Sequence, residues 1–405
     1  MNDGDLAVLD GNGVRFFDAA GDPILKKKET ITWETSAAER GGFDHFMIKE
    51  IFEQPKAVAD TVMPRIRDGK ICLEEVGFTA AFLQKLRKIY LVACGSAFYV
   101  ATLAKYMIEK YCTVPAEAVI ASEFRYCDPL VNASDLVIVI SQSGETADTL
   151  AALKEAKRRG AVTLAVVNVV GSAIASTADA TLYTWAGPEI AVATTKAFSA
   201  QLGLIYLLTL YLADGLKTLQ GHVYHEALEA LRQLPKQQEY ILRPELIQQI
   251  QYLADKFCGR HNAFYVGRNM DSAICLEGSL KLKEVAYLHS EAYPAGELKH
   301  GPISMIEEGT LVIALATVDA LFEKTMANIR EVKARGADVI CVTVESRAEQ
   351  AEMFADHVVT IPNAHPLVRA GLALLPLQLF AYYVAVNRGC DVDKPRNLAK
   401  SVTVE

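Results

Sequence analysis

The stretch that decides the fold is LVIVISQSGET, residues 136–146. Its first five residues are apolar, and four of them are β-branched. Such a short apolar run, ended by a turn of small and hydroxyl-bearing residues, predicts a strand that is buried on both faces, as strands of parallel sheets are. A helical pattern follows the turn, so the stretch predicts strand, turn and helix in an α/β protein.

Runs of the same kind alternate with helical patterns from about Lys88 onward, and they form two blocks. In the first block we expect strands at Ile89–Ala93, Ala116–Ile120, Leu136–Ile140, Thr163–Val167 and Ala180–Tyr183. In the second block we expect strands at Ala263–Val266, Thr310–Ala316, Val339–Val344 and His357–Ile361. This alternation predicts βαβ units on parallel sheets.

The second block repeats the first. Leu136-Val137-Ile138 leads through a helix to Arg159-Gly160-Ala161, and Leu311-Val312-Ile313 leads in the same way to Arg335-Gly336-Ala337. The spacing from Leu136 to Leu311 differs by a single position from the spacing from Arg159 to Arg335. We therefore expect an α/β fold of two homologous domains, each a doubly wound, flavodoxin-like parallel sheet.

The segment from Met1 to Trp33 has a different pattern. Strand candidates separated by turn residues lie at Leu6–Leu9, Val14–Phe17 and Thr30–Trp33, a β meander too small to fold alone. A polar linker is expected at Glu34–Gly42, and a helical segment interrupted by Pro55 follows at Phe43–Met63.

Composition and charge exclude several classes of protein. Hydrophobic residues make up 51% of the 405 residues and charged residues 22%, which is typical of a folded globular chain. The net charge of −8 argues against nucleic-acid or anionic membrane partners. The apolar runs Leu202–Ala213 and Gly371–Val386 are shorter than the roughly 20 residues that span a bilayer, so we expect no membrane span. The acidic start is no secretory signal, and eight cysteines without a Cys-x-x-Cys pair indicate reduced thiols in the cytoplasm and no metal site.

Two strands of the first block end in turns that open a helix, Ala93–Ala97 and Ser141–Thr146. Ligands of open parallel sheets bind beyond the carboxyl ends of the strands, where helix N-termini favour anions. Hydroxyl groups in the second turn suit phosphate oxygens, although Ser143 and Thr146 are equally explained as helix N-caps. Two such turns in one sheet favour an anion site. Neither nucleotide-binding fingerprint of glycines is present.

The second block carries a dense polar cluster, consisting of Glu277, Lys281, Lys283, Glu284, His289, Glu291, Glu297, Lys299 and His300. A surface helix with ion pairs is the usual explanation for this spacing. Apolar neighbours indicate a packed helix instead, and the turn Gly296–Pro302 can bring His300 beside it. A carboxylate and a histidine together could move protons on a carbonyl sugar. In a frayed C-terminal tail Lys400 would have no catalytic role, whereas in a closed site its amine could form an imine with a carbonyl group.

Five motifs occur in order along the chain: SQSGETADTL (141–150), TKAF (195–198), LEG with KLKE (276–278 and 281–284), GELKHGP (296–302) and RNLAKSVTVE (396–405). Together they closely resemble the isomerase half of the glutamine:fructose-6-phosphate amidotransferase, or glucosamine-6-phosphate synthase, family. The resemblance covers essentially the whole chain.

The resemblance implies a domain organisation. Residues 1–42 would be a remnant of the glutaminase domain with a linker, 43–235 the first sugar isomerase domain with N-terminal helices, 236–390 the second, and 391–405 a tail that closes the active site. The family's glutaminase uses an N-terminal cysteine as its nucleophile, whereas this chain begins Met1-Asn2 and has no cysteine before Cys72. We therefore expect no glutamine hydrolysis from it.

The resemblance also implies roles for individual residues. The sugar phosphate would be held by Ser96, Ser141, Gln142, Ser143 and Thr146, in a pocket lined by Cys94, Gly95, Val192 and Ala399. Glu284 would move the proton between C1 and C2 with Lys281 beside it, and His300 would open the ring. Lys400 would form the fructose imine that ammonia attacks. Where family members often have Thr-Ser after Cys-Gly, this chain has Ser96-Ala97, so one hydroxyl donor is lost.

The expected function is the conversion of fructose 6-phosphate to glucosamine 6-phosphate, with free ammonia as the amine donor, or sugar-phosphate isomerisation alone. No cofactor is expected, and the resemblance implies a homodimer with shared active sites, to which the neighbouring subunit contributes the ring-opening histidine. The alternative is a non-catalytic regulator that binds sugar phosphates on the same fold. Such a protein would have no use for Glu284, His300 and Lys400 together, so the set favours an enzyme.

Overall fold

The computed structural model of the protein describes residues 4–11, 13–26 and 39–404, and the chain divides into two compact units, Met1–Glu39 and Arg40–Glu405. The smaller unit is an antiparallel sheet in the order β1-β2-β3, with strands Leu6–Asp10, Gly13–Phe17 and Pro23–Ile24. The first two predicted strands are thus confirmed. The strand predicted at Thr30–Trp33 lies outside the described residues.

The larger unit begins with short elements: helices α1 (Phe46–Phe52), α2 (Gln54–Val62) and α3 (Ala80–Lys85), and a hairpin of β4 (Ile66–Arg67) and β5 (Lys70–Ile71). The helical segment predicted around Pro55 is present as α1 and α2. Pro55 lies in the first turn of α2, where the missing N–H costs no intrahelical hydrogen bond.

Two five-stranded parallel sheets follow. The first has the order β10-β9-β8-β6-β7, with β6 at Lys88–Ala93, β7 at Ala116–Ile120, β8 at Asp135–Ser141, β9 at Val162–Val167 and β10 at Ala180–Tyr183. The second has the order β12-β11-β13-β14-β15, with β11 at Asn262–Gly267, β12 at His289–Pro294, β13 at Leu311–Ala316, β14 at Asp338–Val344 and β15 at His357–Ile361. Both sheets therefore have the order 2-1-3-4-5 of the flavodoxin-like fold, as the sequence repeat predicts.

Helices cover both faces of each sheet. Those of the first half are α4 (Gly95–Cys112), α5 (Ala121–Phe124), α6 (Ala147–Arg158), α7 (Ala173–Thr177) and α8 (Lys196–Leu216). Those that follow are α9 (Gly221–Ile241), α10 (Pro244–Phe257), α11 (Met270–Ala286), α12 (Phe322–Lys333), α13 (Ala348–Glu352), α14 (Pro366–Leu372) and α15 (Leu374–Asn387).

Alternating residues of each strand enter different cores, because successive side chains of a strand point to opposite faces. In β8, Leu136, Ile138 and Ile140 join one large core that also contains one face of the second sheet. Val137 and Val139 join a separate core with α5, α6 and α7. The second sheet has its own outer core against α12 and α13. The two sheets therefore share a central layer of helices, in which α4 packs against both α8 and α11.

Two helical segments, Lys196–Leu216 and Pro366–Asn387, are long and apolar enough by composition to cross a membrane. They are longer than the apolar runs on which our expectation of no membrane span rests. In each of them, 89% of the apolar window is buried inside the protein. Such burial is typical of core helices in globular proteins.

All nine strands expected in the two blocks are present, with ends that differ by at most one residue. The sequence does not predict β12. Within residues 39–404 this strand pairs with β11 alone, at the edge of its sheet, and its sequence HSEAYP lacks the apolar run on which the other predictions rest. Its polar residues belong to the dense polar cluster found in the sequence.

Candidate active site

The two turns predicted to bind an anion lie side by side, because β6 and β8 are neighbours in the first sheet. This is the switch point, where successive connections leave in opposite directions. Gly95 (φ +55°) and Gly144 (φ +68°) both adopt left-handed backbone conformations that favour glycine. A Cβ at Gly144 would lie 2.0 Å from the hydroxyl oxygen of Ser172, whereas one at Gly95 would meet no atom within 4 Å. The turn at Gly95 therefore leaves open space beside its backbone.

Hydroxyl groups line the second turn. The Oγ atoms of Ser141 and Thr146 lie 3.1 Å apart, and the backbone N–H of Gly144 donates to Ser141 Oγ at 3.0 Å. Thr146 occupies the N-cap position of α6, but its side chain makes no capping hydrogen bond. The alternative explanation of Thr146 as an N-cap is therefore right about its position and wrong about its side chain, which is turned toward Ser141.

Three residues of α11, Glu277, Lys281 and Glu284, form what we call the α11 cluster. Lys281 and Glu277 are fully buried, and the side chain of Glu284 is 20% exposed. The Lys281 ammonium lies 2.5 Å from Glu284 Oε2 and 3.4 Å from Glu277 Oε1. The surface-helix explanation is therefore wrong for these three residues. It holds for Lys283, which is exposed.

Burial and charge shape the titration of the α11 cluster. Burial raises the pKa of Glu277 to about 7, although the nearby Lys281 ammonium opposes that change. Burial disfavours the ammonium of Lys281, but the charges of Glu277 and Glu284 outweigh it and raise the pKa of Lys281. The cation of Lys281 therefore lies between two carboxyl groups: Glu277, whose pKa is near neutrality, and Glu284, which is partly exposed to solvent.

Ser96 connects the two halves of the larger unit. Its hydroxyl, on the first turn of α4, donates to Glu277 Oε1 at 3.1 Å and accepts from Lys281 Nζ at 3.1 Å. The resemblance assigns Ser96 to the sugar phosphate. In this structure Ser96 bridges the α4 turn of the first sheet and the α11 cluster of the second.

The C-terminal segment is bound to the larger unit rather than frayed. The Asp393 carboxylate accepts from the N–H groups of Phe46 (3.0 Å) and Met47 (2.9 Å) at the start of α1. Further along, the guanidinium of Arg396 lies 4.2 Å from the centre of the Tyr287 ring, and the Arg396 N–H donates to its hydroxyl at 2.7 Å. These contacts fix the direction of the segment.

The same segment then reaches the predicted phosphate turn. Ser401 Oγ donates to Ser143 Oγ at 3.0 Å, and the Val402 carbonyl accepts from the N–H of Ala147 at 3.1 Å. Ala147 is the first residue of α6, so the segment uses one of the helix N-terminal donors that would otherwise face a ligand.

Lys400 lies between these contacts. Its ammonium donates to Glu189 Oε2 and to the Ala191 carbonyl, the latter at 2.9 Å. The side chain of Glu189 is fully buried, in the loop that precedes α8. Sequence reasoning did not find Glu189. The only signal was its position six residues before the TKAF motif.

The other residues to which the resemblance assigns a role lie around these contacts. The N–H of Val192 donates to the Asp393 carbonyl at 3.0 Å, which ties the Glu189 loop to the C-terminal segment. Ala399 is exposed beside Lys400, and Cys94 accepts a hydrogen bond from Thr149. His300 ends a 3₁₀ turn, Ala295–His300, and is exposed. Within the described part of a single chain, no hydrogen bond or ion pair connects His300 to the α11 cluster.

The corresponding switch point of the second sheet is occupied by a carboxylate. Asp271, on the first turn of α11, is buried and accepts from the N–H groups of Thr317 (2.8 Å) and Val318 (3.3 Å) and from the Thr317 hydroxyl. Burial raises its pKa to about 6. The strand registers align β6 with β11 and β8 with β13, so Asp271 and Thr317 follow the second-half counterparts of the strands that carry the turns at Ser96 and Ser141.

Comparisons with known proteins agree with this architecture. The SIS domain profile matches residues 82–211 and 256–388. A glutamine–fructose-6-phosphate aminotransferase (isomerizing) of Caldanaerobacter subterraneus is 50% identical over the whole chain, and one of Corynebacterium glutamicum is 44% identical over 98% of it. The solved C-terminal domain of glucosamine-fructose-6-phosphate aminotransferase from Francisella tularensis superimposes with a TM-score of 0.84 at 36% identity, covering 88% of this chain and all of that one.

The chain spans 66% of the length of the Caldanaerobacter relative and 64% of the Corynebacterium relative. A glucosamine-6-phosphate deaminase structure from Thermotoga maritima shares the fold with a TM-score of 0.68 at 23% identity. The SIS profile covers each of the two sheets with their main helices. The chain therefore belongs to the SIS domain family and is similar, over its whole length, to the isomerizing glutamine–fructose-6-phosphate aminotransferases.

Proposed function

We propose that this chain binds fructose 6-phosphate at the carboxyl end of the first sheet and converts it to glucosamine 6-phosphate, by amination and ketose–aldose isomerisation. The observation that carries the proposal is the convergence of three segments. Ser96 joins the α4 turn to the α11 cluster, and Ser401 joins the C-terminal segment to the hydroxyl-lined turn at Ser143. The names and sequences of the relatives support the same reaction.

The phosphate would bind in the turn Ser141–Thr146. Its hydroxyl groups and the N-terminus of α6 supply uncharged donors, and a left-handed Gly144 packs the turn closely against Ser172. Ser143 and Gln142 would complete the contacts, with Cys94 and Gly95 on the facing turn. In this arrangement Ser401 leaves Ser143, or rotates beside it, when the phosphate enters.

Proton transfer between C1 and C2 is assigned to Glu284. It is the only carboxylate of the α11 cluster that is partly exposed, and Lys281 pairs with it from the buried side. A carboxylate at this boundary can take a proton from one carbon of a bound sugar and return it to the next. Lys281 would stabilise the negative charge that develops on the oxygens between these steps.

The amination step is assigned to Lys400, whose amine would form an imine with the ketose carbonyl that ammonia then attacks. We propose ammonia itself as the nitrogen donor for this step. We further propose a cytoplasmic homodimer in which His300 from one subunit opens the sugar ring in the other, because His300 is exposed and, among the described residues, has no hydrogen bond to Glu284 in its own chain. We also propose that the domain boundaries lie at residues 42, 235 and 390.

A solvent-exchange experiment tests the proposal. In D₂O, the protein should introduce deuterium at C1 and C2 of the sugar phosphate, observed by NMR. Glu284→Gln should lower that rate by about 10²–10⁴-fold while the thermal stabilisation by fructose 6-phosphate persists, since the amide cannot accept the proton. Glu323→Gln, on the exposed start of α12, is the matched control and should exchange normally.

Binding without any exchange in the unchanged protein would favour the non-catalytic regulator. Exchange that survives in Glu284→Gln would assign the base to another residue.

The dimer is tested by co-expressing His300→Ala with Glu284→Gln chains. A mixed dimer should regain one complete site and therefore activity, whereas a verified mixed dimer without activity would contradict shared sites.

A further inference from the structure

The Lys400 ammonium is bound by one buried carboxylate and one backbone carbonyl. Glu189 Oε2 accepts from it, and the Ala191 carbonyl accepts a second hydrogen bond. The side chain of Glu189 has no exposure, whereas that of Lys400 is 24% exposed. The lysine therefore reaches from the protein surface toward a fixed internal anion.

Glu189 is held in one orientation by its neighbours. Its Oε1 accepts from the N–H groups of Thr195 and Ala197, each at 3.0 Å, at the N-terminus of the 21-residue helix α8. Its Oε2 also accepts from the hydroxyl of Thr194 at 3.2 Å. Burial alone would favour the protonated form, but the charge of Lys400 and these N–H donors outweigh it and lower the pKa of Glu189.

A second carboxyl group lies on the other side of the same loop. Glu50 of α1 is buried, and its Oε1 accepts from the N–H groups of Ile190 (2.5 Å) and Ala191 (3.2 Å). Its other oxygen is buried, and no group in the described part of the chain forms a hydrogen bond with it. Burial and the nearby charge of Glu189 raise the pKa of Glu50 to about 8. Near neutral pH, Glu50 is therefore protonated, and the loop carries one negative charge rather than two.

The other charged groups around Glu189 are already paired. Lys196 of α8 lies 2.6 Å from Glu53 of α1, and Lys281 of α11 is bound by its own two carboxylates. The charge of Glu189 still acts on Lys281, so both lysines belong to one electrostatic environment. Among the described residues, Lys400 is the cation that pairs directly with Glu189.

We propose that Glu189 is a positioning residue for Lys400: it holds the ammonium in the ligand-free chain and accepts its proton when the sugar binds. The second part rests on the proposed function, in which Lys400 forms an imine. The proton moves from Lys400 Nζ to Glu189 Oε2, so a buried ion pair becomes two neutral groups and no charge is left unpaired. The free amine is then the nucleophile.

The remaining steps return the proton. The nitrogen lone pair forms a bond to the carbonyl carbon, and a proton on that nitrogen passes to the former carbonyl oxygen. Glu189 then gives its proton to this hydroxyl, which leaves as water while the C=N bond forms. Glu189 is again a carboxylate and is paired with the positive imine. One water is released and no further reactant is needed.

Labelling of lysines tests the first part without any substrate. The protein is exposed to an amine-acylating reagent across pH 6–10, and the labelling of Lys400 is followed by mass spectrometry. Glu189→Gln should label Lys400 about tenfold faster near pH 7, because the charge-assisted hydrogen bond that holds the ammonium is lost. Glu189→Asp, which keeps the charge, should restore slow labelling.

Glu53→Gln is the matched control, since it removes the carboxylate of a neighbouring lysine pair on the same side of the fold. It should change the labelling of Lys400 by less than about twofold. Equal labelling in Glu189→Gln and the unchanged protein would overturn the proposal. If Glu53→Gln accelerates the labelling of Lys400 as much as Glu189→Gln does, the proposal is also overturned, because the effect would then come from a general loosening of the structure.

Borohydride trapping tests the second part. Reduction in the presence of fructose 6-phosphate should fix the sugar on Lys400, and Glu189→Gln should give about tenfold less adduct even though its lysine is more accessible, because the proton acceptor is lost. Adduct equal to that of the unchanged protein would overturn proton transfer to Glu189. If the unchanged protein forms no adduct, the imine role of Lys400 fails, while the labelling result still decides whether Glu189 holds it.

Discussion

The carboxyl ends of the two sheets have the same topology and different occupants. At the first end, Ser141 and Thr146 line a turn that the separate C-terminal segment contacts through Ser401 and Val402. At the second end, the same kinds of donor, from Thr317 and Val318, are used by the carboxylate of Asp271. A repeated fold therefore does not carry two copies of one site. The first half supplies the end of a sheet, and the second half supplies a helix, α11, whose cluster faces the first half through Ser96.

The strongest test of this division concerns that helix. Lys281→Met should lower the free energy of unfolding by about 3–5 kcal/mol, because it leaves the buried carboxyl group of Glu277 without its cation. Urea unfolding measures the effect. Lys283→Met, on the exposed side of the same helix, should change stability by no more than about 0.5 kcal/mol. Equal losses in the two variants would mean that the cluster does not join the halves.

A second test makes the first end resemble the second. Asp319 follows β13 as Ser143 follows β8, and it pairs with Arg369, so Ser143→Asp introduces an acid into the corresponding turn without an arginine. Fructose 6-phosphate at 100 times its Kd should stabilise the unchanged protein by about 2.7 kcal/mol, and this shift should vanish in the variant. Fructose without phosphate should not stabilise either protein. If fructose 6-phosphate stabilises Ser143→Asp as much as the unchanged protein, the phosphate does not bind in this turn.

A third test addresses the occupied end. Asp271→Asn should cost about 1–3 kcal/mol, because the NH₂ group that replaces one carboxylate oxygen cannot accept a hydrogen bond from the donors that face it. Chemical unfolding measures the loss, and the exposed Asp319→Asn serves as the comparison. Fructose 6-phosphate should still bind to one site per chain in Asp271→Asn. A second molecule bound per chain in the unchanged protein would contradict the claim that this end is closed.

The smallest effect concerns pH. Burial raises the pKa of Asp271 to about 6, of Glu277 to about 7 and of Glu50 to about 8. At these three groups the folded protein keeps protons that the unfolded chain has lost, so their contribution to stability falls as pH rises from about 5 to about 8. Burial lowers the pKa of His357 and of His365, so these two groups contribute in the opposite direction. Each carboxyl group lowers the free energy of unfolding by up to about 1.4 kcal/mol per pH unit within its range. Glu50→Gln should flatten the upper part of the curve, as measured by thermal unfolding at several pH values. Identical curves for Glu50→Gln and the unchanged protein would contradict the raised pKa of Glu50.

Much of the fold could be predicted because buried parallel strands such as Leu136–Ile140 are continuous apolar runs, and because the repeat appears in the residues themselves. β12 could not be predicted, since an edge strand needs few apolar residues. Asp271 was missed for a related reason: the repeat was traced through strands, whereas the occupied site depends on one helix residue and on donors of a loop. Glu189 was missed because a glutamate in a loop has no pattern until Lys400, far along the chain, is placed beside it.

Within the site, residue types were easier to predict than contacts. Ser143 was expected at the phosphate turn, and Lys281 was expected beside Glu284, which it contacts. The bond of Ser96 to both Glu277 and Lys281 depends on how two sheets pack across a shared layer of helices, and local sequence carries no information on that packing.

The shared helical layer has a consequence for synthesis on the ribosome. Gly371 of α14 packs so closely on Tyr206 of α8 that an added Cβ would lie 2.3 Å from the tyrosine hydroxyl. Yet α8 ends at Leu216 and α14 begins at Pro366, about 150 residues later, which takes about 8 to 30 seconds at bacterial or eukaryotic rates of elongation. During that interval the apolar helix α8 has been synthesised but α14, which packs on it, has not. We therefore expect nascent chains halted between these two helices to bind chaperones that the completed chain does not bind.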